Sequence, residues 1–170
     1  MSELEDAVRR WAQGVYPVEA GAELLIRQGK AIREGAPWLQ EIGPEGGQRM
    51  VAIDTEILWD KSGAWSGGEQ RVVNIALSLL DSEFPVKLNN AVSGLDADHV
   101  ELVLAAMAHA AGSHEARRPI VEGSRLSGYT EPVNAYPWPE QLNTLGTPRR
   151  TDRAAAHEAD DTTAGLGRSL

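Results

Sequence analysis

Ser66 and Glu69 stand three residues apart in AWSGGEQRVVNIALSLL (64–80), with Gly67 and Gly68 between them. A serine at a helix N-cap accepts a hydrogen bond from a first-turn N–H, and a glutamate three residues on reaches back to the serine's own N–H and complements the helix dipole. Helix initiation therefore accounts for Ser66 and Glu69. It does not account for the glycines, each of which costs up to about 1 kcal/mol relative to alanine in a helix. Paired glycines predict that something approaches this backbone closely, either another helix or an anion drawn to exposed N–H groups. A second turn, Ser93-Gly94-Leu95-Asp96, precedes another helical pattern.

Two motifs at this separation resemble the ABC-type ATPases: SGGEQRVVNIA looks like that family's signature helix, and SGLD lies where the family places its D-loop. The resemblance covers about residues 64–107. It implies that Ser66, Gly67 and Gly68 touch the terminal phosphate of an ATP held by a partner subunit, with Asp96 coupling the two subunits. The remaining machinery is missing. Asn89 and Asn90 occupy the place of the family's Asp-Glu pair, and neutral amides supply neither an anionic partner for a Mg²⁺ shell nor a carboxylate that activates water. Lys30, the only lysine after a glycine, has Leu24 where a phosphate loop needs its first glycine and Ala31 where it needs Ser or Thr. The chain alone is not expected to hydrolyse ATP. Over the same region it also looks like small proteins of GC-rich bacteria and their phages, with no activity to carry over.

Other chemistry-bearing residues favour structural readings. His109 and His114 are five apart, on different sides of a helix that Gly112 should end between them. The His114-Glu115 pair lacks the second histidine of a zinc protease, since position 118 is Arg. Asp98, His99 and Glu101 fall in a first helical turn, where the acids suit the dipole. Asp54 and Glu56 fall on the polar side of an alternating run, a solvated face and not a catalytic pair. No catalytic residue, metal site or cofactor is expected.

These groups must be positioned by a chain of 170 residues with 42% hydrophobic residues, enough for one domain and a tail. With one Phe, three Tyr and five Trp, the core must be mainly aliphatic. There is no cysteine, which excludes disulfides and thiolate chemistry. No apolar run reaches the roughly 18 residues of a membrane span, and MSELEDAVRR is unlike a signal peptide, so a soluble cytoplasmic protein is expected. Net charge is −9, with 9 basic against 17 acidic residues in 1–114, a field that repels a phosphate backbone. Nucleic acid is therefore not the expected partner.

Periodicity predicts a mainly α fold of about four helices, one short extended segment, a small helical domain over 1–118 and a Pro/Gly-rich flexible tail, disordered or weakly docked, over 119–170. Ser2 and Glu5 have capping-box spacing ahead of Leu4, Val8 and Trp11. Pro17 suits the first turn of a second helix, whose stripe of Val18, Ala22, Leu25 and Ile26 fades toward Gly29 or Gly35. Residues 35–49 read as a loop, and VAIDTEILW (51–59) alternates as one strand, or an extended arm on the helices, with Val51, Ile53, Thr55, Ile57 and Trp59 on one side. Val72, Ile75, Ala76, Leu79 and Leu80 form one helical stripe. Val100, Val103, Leu104, Met107, Ala108 and Ala111 form another, with Gly112 as its cap. Tyr136 and Trp138 suggest a short adhesive segment in the tail. The function expected is a non-enzymatic protein-binding or regulatory module. The alternative is a trans-acting signature half-site in a partner's ATPase, and in either case the partner is another protein.

Overall fold

A computed structural model describes residues 2–43, 47–132 and 136–139. The chain is mainly helical, with six α-helices and two short hairpins among the described residues. Met1–Pro139 forms one compact unit. The expected tail beyond residue 139 lies outside the described residues.

Helix α1 (Glu3–Ala12) opens with the expected capping box, Ser2 and Glu5 bonding reciprocally. Helix α2 (Tyr16–Gln28) has Pro17 in its first turn and ends at Gly29, whose φ of +81° is the left-handed conformation that glycine tolerates. Arg9 of α1 donates to Glu23 at 2.8 Å, and Arg27 donates to the other oxygen of Glu23 at 2.6 Å. Burial alone pushes the Glu23 carboxyl up, but the two guanidiniums outweigh it and hold it low.

The run 51–59 is not one strand. β2 (Met50–Ile53) stops where Asp54 accepts the Ile57 N–H and starts α3 (Thr55–Ser62). An Asp followed by three helix-compatible residues makes a cap, so the alternation is broken after Ile53 and Trp59 points out to solvent. The partner for β2 comes from the segment read as a loop: β1 (Leu39–Ile42) pairs with it antiparallel, Leu39 opposite Ile53 and Ile42 opposite Met50. Just ahead of it Trp38 is buried, its indole N–H donating to the Ala31 carbonyl at 2.8 Å. Among the described residues Trp38 is the one fully buried aromatic in an otherwise aliphatic core.

Helix α4 (Gly67–Leu80) buries Val72, Val73, Ile75, Ala76 and Leu77 against α2 and ends at Asp81. A five-residue helix, α5 (Leu88–Val92), follows and carries Asn89 and Asn90. Helix α6 (Ala97–Ala110) packs on another side of α2, but not with the expected stripe. Leu102, Val103, Ala105 and Ala106 are buried, whereas Val100, Leu104 and Met107 are exposed. Two apolar stripes compete on this helix. The chosen phase turns His109 toward Glu19 of α2 and puts small alanines at the contact.

Gly112 takes the left-handed conformation expected of a cap (φ +71°), and a 3₁₀ turn over Ser113–Glu115 follows. That reversal corrects the separation expected of the two histidines. His114 folds back so that its ring stacks on that of His109, centroids 4.1 Å apart and planes within 7°. Beyond it β3 (Pro119–Glu122) and β4 (Arg125–Tyr129) make a second hairpin, turning at Gly123, in a stretch where the sequence shows no sustained periodicity. Trp138 packs against the core beside His109 and under the Arg27 guanidinium, while Tyr136 is exposed.

The approach of α4 to α2 depends on Gly21. A Cβ there would lie 2.7 Å from Leu80 Cγ and 2.9 Å from the Ala76 carbonyl oxygen, so backbone would have to move. Gly21→Ala is expected to lose about 1–3 kcal/mol by overpacking, despite alanine's better helix propensity. Urea unfolding measures it, and a gain in stability would mean that the two helices are not held this close.

Candidate functional site

Ser66 caps α4 as its residue type requires. Its N–H donates to Glu69 Oε2 at 2.9 Å and its Oγ accepts the Glu69 N–H at 3.4 Å. Lys30 reaches over from the end of α2 and donates to the same Oε2 at 2.6 Å, with its ammonium 4.7 Å from the Trp65 ring centroid. Lys30 first, and the Ser66 N–H next, draw the Glu69 carboxyl down to about 2. This carboxylate is engaged within the chain, as an anchor between α2 and the start of α4.

The chain itself supplies what approaches the two glycines. A Cβ on Gly67 would sit 3.0 Å from Nη1 of Arg71, one turn further along α4. A Cβ on Gly68 would sit 3.9 Å from His99 Nδ1, an ordinary contact, so Gly68 leaves slack that Gly67 does not. The second motif meets the first at the same place. Gly94, left-handed at φ +84°, brings its backbone to the Arg71 guanidinium, where a Cβ would be 3.5 Å from Cζ. Asp96 caps α6, accepting the His99 N–H at 2.9 Å, and its other oxygen lies 2.8 Å from His99 Nδ1. The His99 N–H is the main cause of a lowered Asp96 carboxyl. Ser93 ends α5 and is exposed. Ser66, Gly67, Gly68, Glu69, Ser93 and Asp96 thus belong to two helix starts that flank one arginine.

From this slot Arg71 borders a cavity of about 360 Å³, which it lines together with Asn74, Lys87, Asn90, Trp59 and Phe84. Trp59 comes from α3, Arg71 and Asn74 from one side of α4, Phe84 from the loop after it and Asn90 from α5. The Trp59 and Phe84 rings stand 6.4 Å apart. Among the described residues no carboxylate pairs with Arg71 or Lys87, in a chain with nine more acidic than basic groups. Two cations, two amides and an aromatic wall match a ligand with a carboxylate or phosphate and a flat or aliphatic body.

Arg71, Asn74, Lys87 and Trp59 are not legible as site residues in the sequence. The available signal is faint: Arg71 and Asn74 stand three apart on α4 and so share a face. Nothing in the local pattern says that Phe84 and Asn90 fold back to meet them.

A lowered carboxyl stabilises the fold above its unfolded value and stops doing so as pH falls through its folded value. For Glu69 that window runs from 4.5 down to about 2. The stability difference between the natural chain and Glu69→Gln should be full at about pH 6 and shrink by about pH 3, read from urea midpoints. A difference that does not change with pH would rule out the ion pair as its source. Comparison of the chain with known protein families, curated proteins and solved structures gave no match.

Proposed function

We propose that this chain is a non-enzymatic binding module that holds another protein by an acidic segment inserted at Arg71. The observation that carries this reading is the Arg71 guanidinium, which lies between two glycine turns, opens on a cavity and meets no carboxylate among the described residues. A planar guanidinium binds a carboxylate through two parallel hydrogen bonds, and Lys87 adds a point charge on the same wall. Asn74 and Asn90 offer amides that satisfy a peptide backbone. The rim favours a protein over a free ion, because Trp59 and two side chains of α5, Leu88 and Val92, are large, apolar and exposed beside it. The acidic surface elsewhere disfavours nucleic acid and repels acidic segments from other places.

A second reading keeps the likeness to ABC-type ATPases: the chain completes a partner's ATPase site, with the Ser66–Gly68 turn against a nucleotide phosphate. The meeting of the two motifs around Arg71 favours it. Gly68→Glu separates the two, since it would abolish partner-dependent ATP turnover on the second reading and only perturb the helix start on the first.

A photo-crosslinking residue at Leu88, used in cells of origin, should attach one partner protein through a peptide rich in Asp or Glu. Arg71→Glu should then weaken the affinity for that peptide by about tenfold to a hundredfold, the loss of a charge-assisted hydrogen-bond pair. An unchanged affinity, or a basic attached peptide, would overturn the proposal.

A further inference from the structure

Far from Arg71 in the sequence, Glu19 of α2, His109 of α6 and His114 of the 3₁₀ turn converge on one point. One potential ligand atom from each lies within 4.8 Å of the other two. We infer that these three residues bind a divalent transition-metal cation of the zinc class.

Two imidazoles and one carboxylate are a donor set for zinc and its neighbours, and a poor one for magnesium or calcium, which prefer oxygen throughout. Glu19 Oε2 and His109 Nε2 already lie 2.8 Å apart. Around a four-coordinate zinc, ligand atoms stand about 3.3 Å from one another, so the cluster needs to contract by about 1.5 Å at its widest. Small rotations of the two stacked rings, splaying them toward a common point, accomplish that.

Three further observations point to a ligand and not to a merely structural histidine pair. His114 Nδ1 is buried and has no hydrogen-bond partner among the described residues, and the neighbouring Ser113 Oγ is in the same condition. Buried polar atoms are nearly always satisfied, and a cation is one way to satisfy an imidazole nitrogen. Glu19 is held from behind, its other oxygen accepting the Gly14 N–H at 2.7 Å, which orients the carboxylate without using the oxygen that faces His109. Finally, Glu19 and His109 also line a cavity of about 310 Å³ together with Arg9, Arg10 and Trp138, which leaves room for a water or small anion as fourth ligand. An imidazole binds the ion through an unprotonated nitrogen, so a proton shared by His109 Nε2 and Glu19 Oε2 moves to the other ring nitrogen or leaves to solvent as the ion binds.

The test uses the full chain, stripped with a chelator and titrated calorimetrically with Zn²⁺. One equivalent should bind. Glu19→Gln, which preserves the acceptor for Gly14, and His114→Ala should each weaken binding by about tenfold or more, whereas His99→Ala should not change it. Because His114→Ala can fail to fold, a second measurement uses the natural chain: Co²⁺ should broaden the imidazole resonances of His109 and His114 and leave those of His99 sharp. Absence of stoichiometric binding overturns the inference. So does binding that is indifferent to Glu19→Gln and His114→Ala, or cobalt broadening that is centred on His99.

Discussion

The structure depends on the burial of α2 against two other helices at once. Ala20, Gly21, Ala22, Leu24, Leu25 and Ile26 are all buried, which is more than one stripe of a 13-residue helix. α4 comes close only because position 21 has no side chain, and α6 lays its alanines on another side of the same helix. Interiors packed at crystal-like density transmit such constraints, so α2 fixes where the N-terminal ends of α4 and α6 lie. Those two ends are where the signature-like turn and the SGLD turn meet. α2 also carries Glu19, and Lys30 just beyond its end, so one helix supports both the start of α4 and the histidine cluster.

Some of the molecule's cations are engaged with carboxylates and others are not. Arg9, Arg27, Lys30 and Arg49 are engaged with carboxylates and hold elements together. Arg49, for example, links Glu34 and Glu41 around the first hairpin, and those two hydrogen bonds raise its pKa. Arg71 and Lys87 have no such partner among the described residues, although acidic groups are in excess. An unpaired guanidinium against a cavity wall keeps its binding capacity for something else, and this contrast underlies the functional reading.

Glycines explain why a familiar-looking motif can serve an internal purpose. In an isolated sequence, Gly67 and Gly68 suggest room for a phosphate. In the fold, Gly67 makes room for Arg71 and Gly94 does the same from the other side, so the arginine is clamped between two turns of its own chain. The cap formed by Ser66 and Glu69 is then strengthened by Lys30, a contact across 39 residues of sequence that helix rules do not contain.

Much of the helical framework was legible because it is encoded locally. Capping boxes at Ser2 and Ser66, Pro17 in a first turn, and glycines at 29 and 112 in the left-handed region act within a few residues of themselves, so periodicity and cap chemistry located α1, α2, α4 and α6. Strands were not legible in this way. β1 sits in a Gly/Pro-rich stretch and gains its meaning only from pairing with β2, and the Asp54 cap competed with an alternating pattern and won. The phase of α6 was equally undetermined, since two apolar stripes fit the same period and only packing on α2 chose between them. By itself the sequence determined the aliphatic core, the helix starts and stops, the lack of thiol chemistry and the acidic charge. Tertiary structure alone decided that Arg71 meets Trp59 and Asn90, and that His114 turns back onto His109 beside Glu19. Those encounters join residues far apart in the chain, and their geometry is set by helix packing and chain reversal, for which no short stretch of sequence carries a signal.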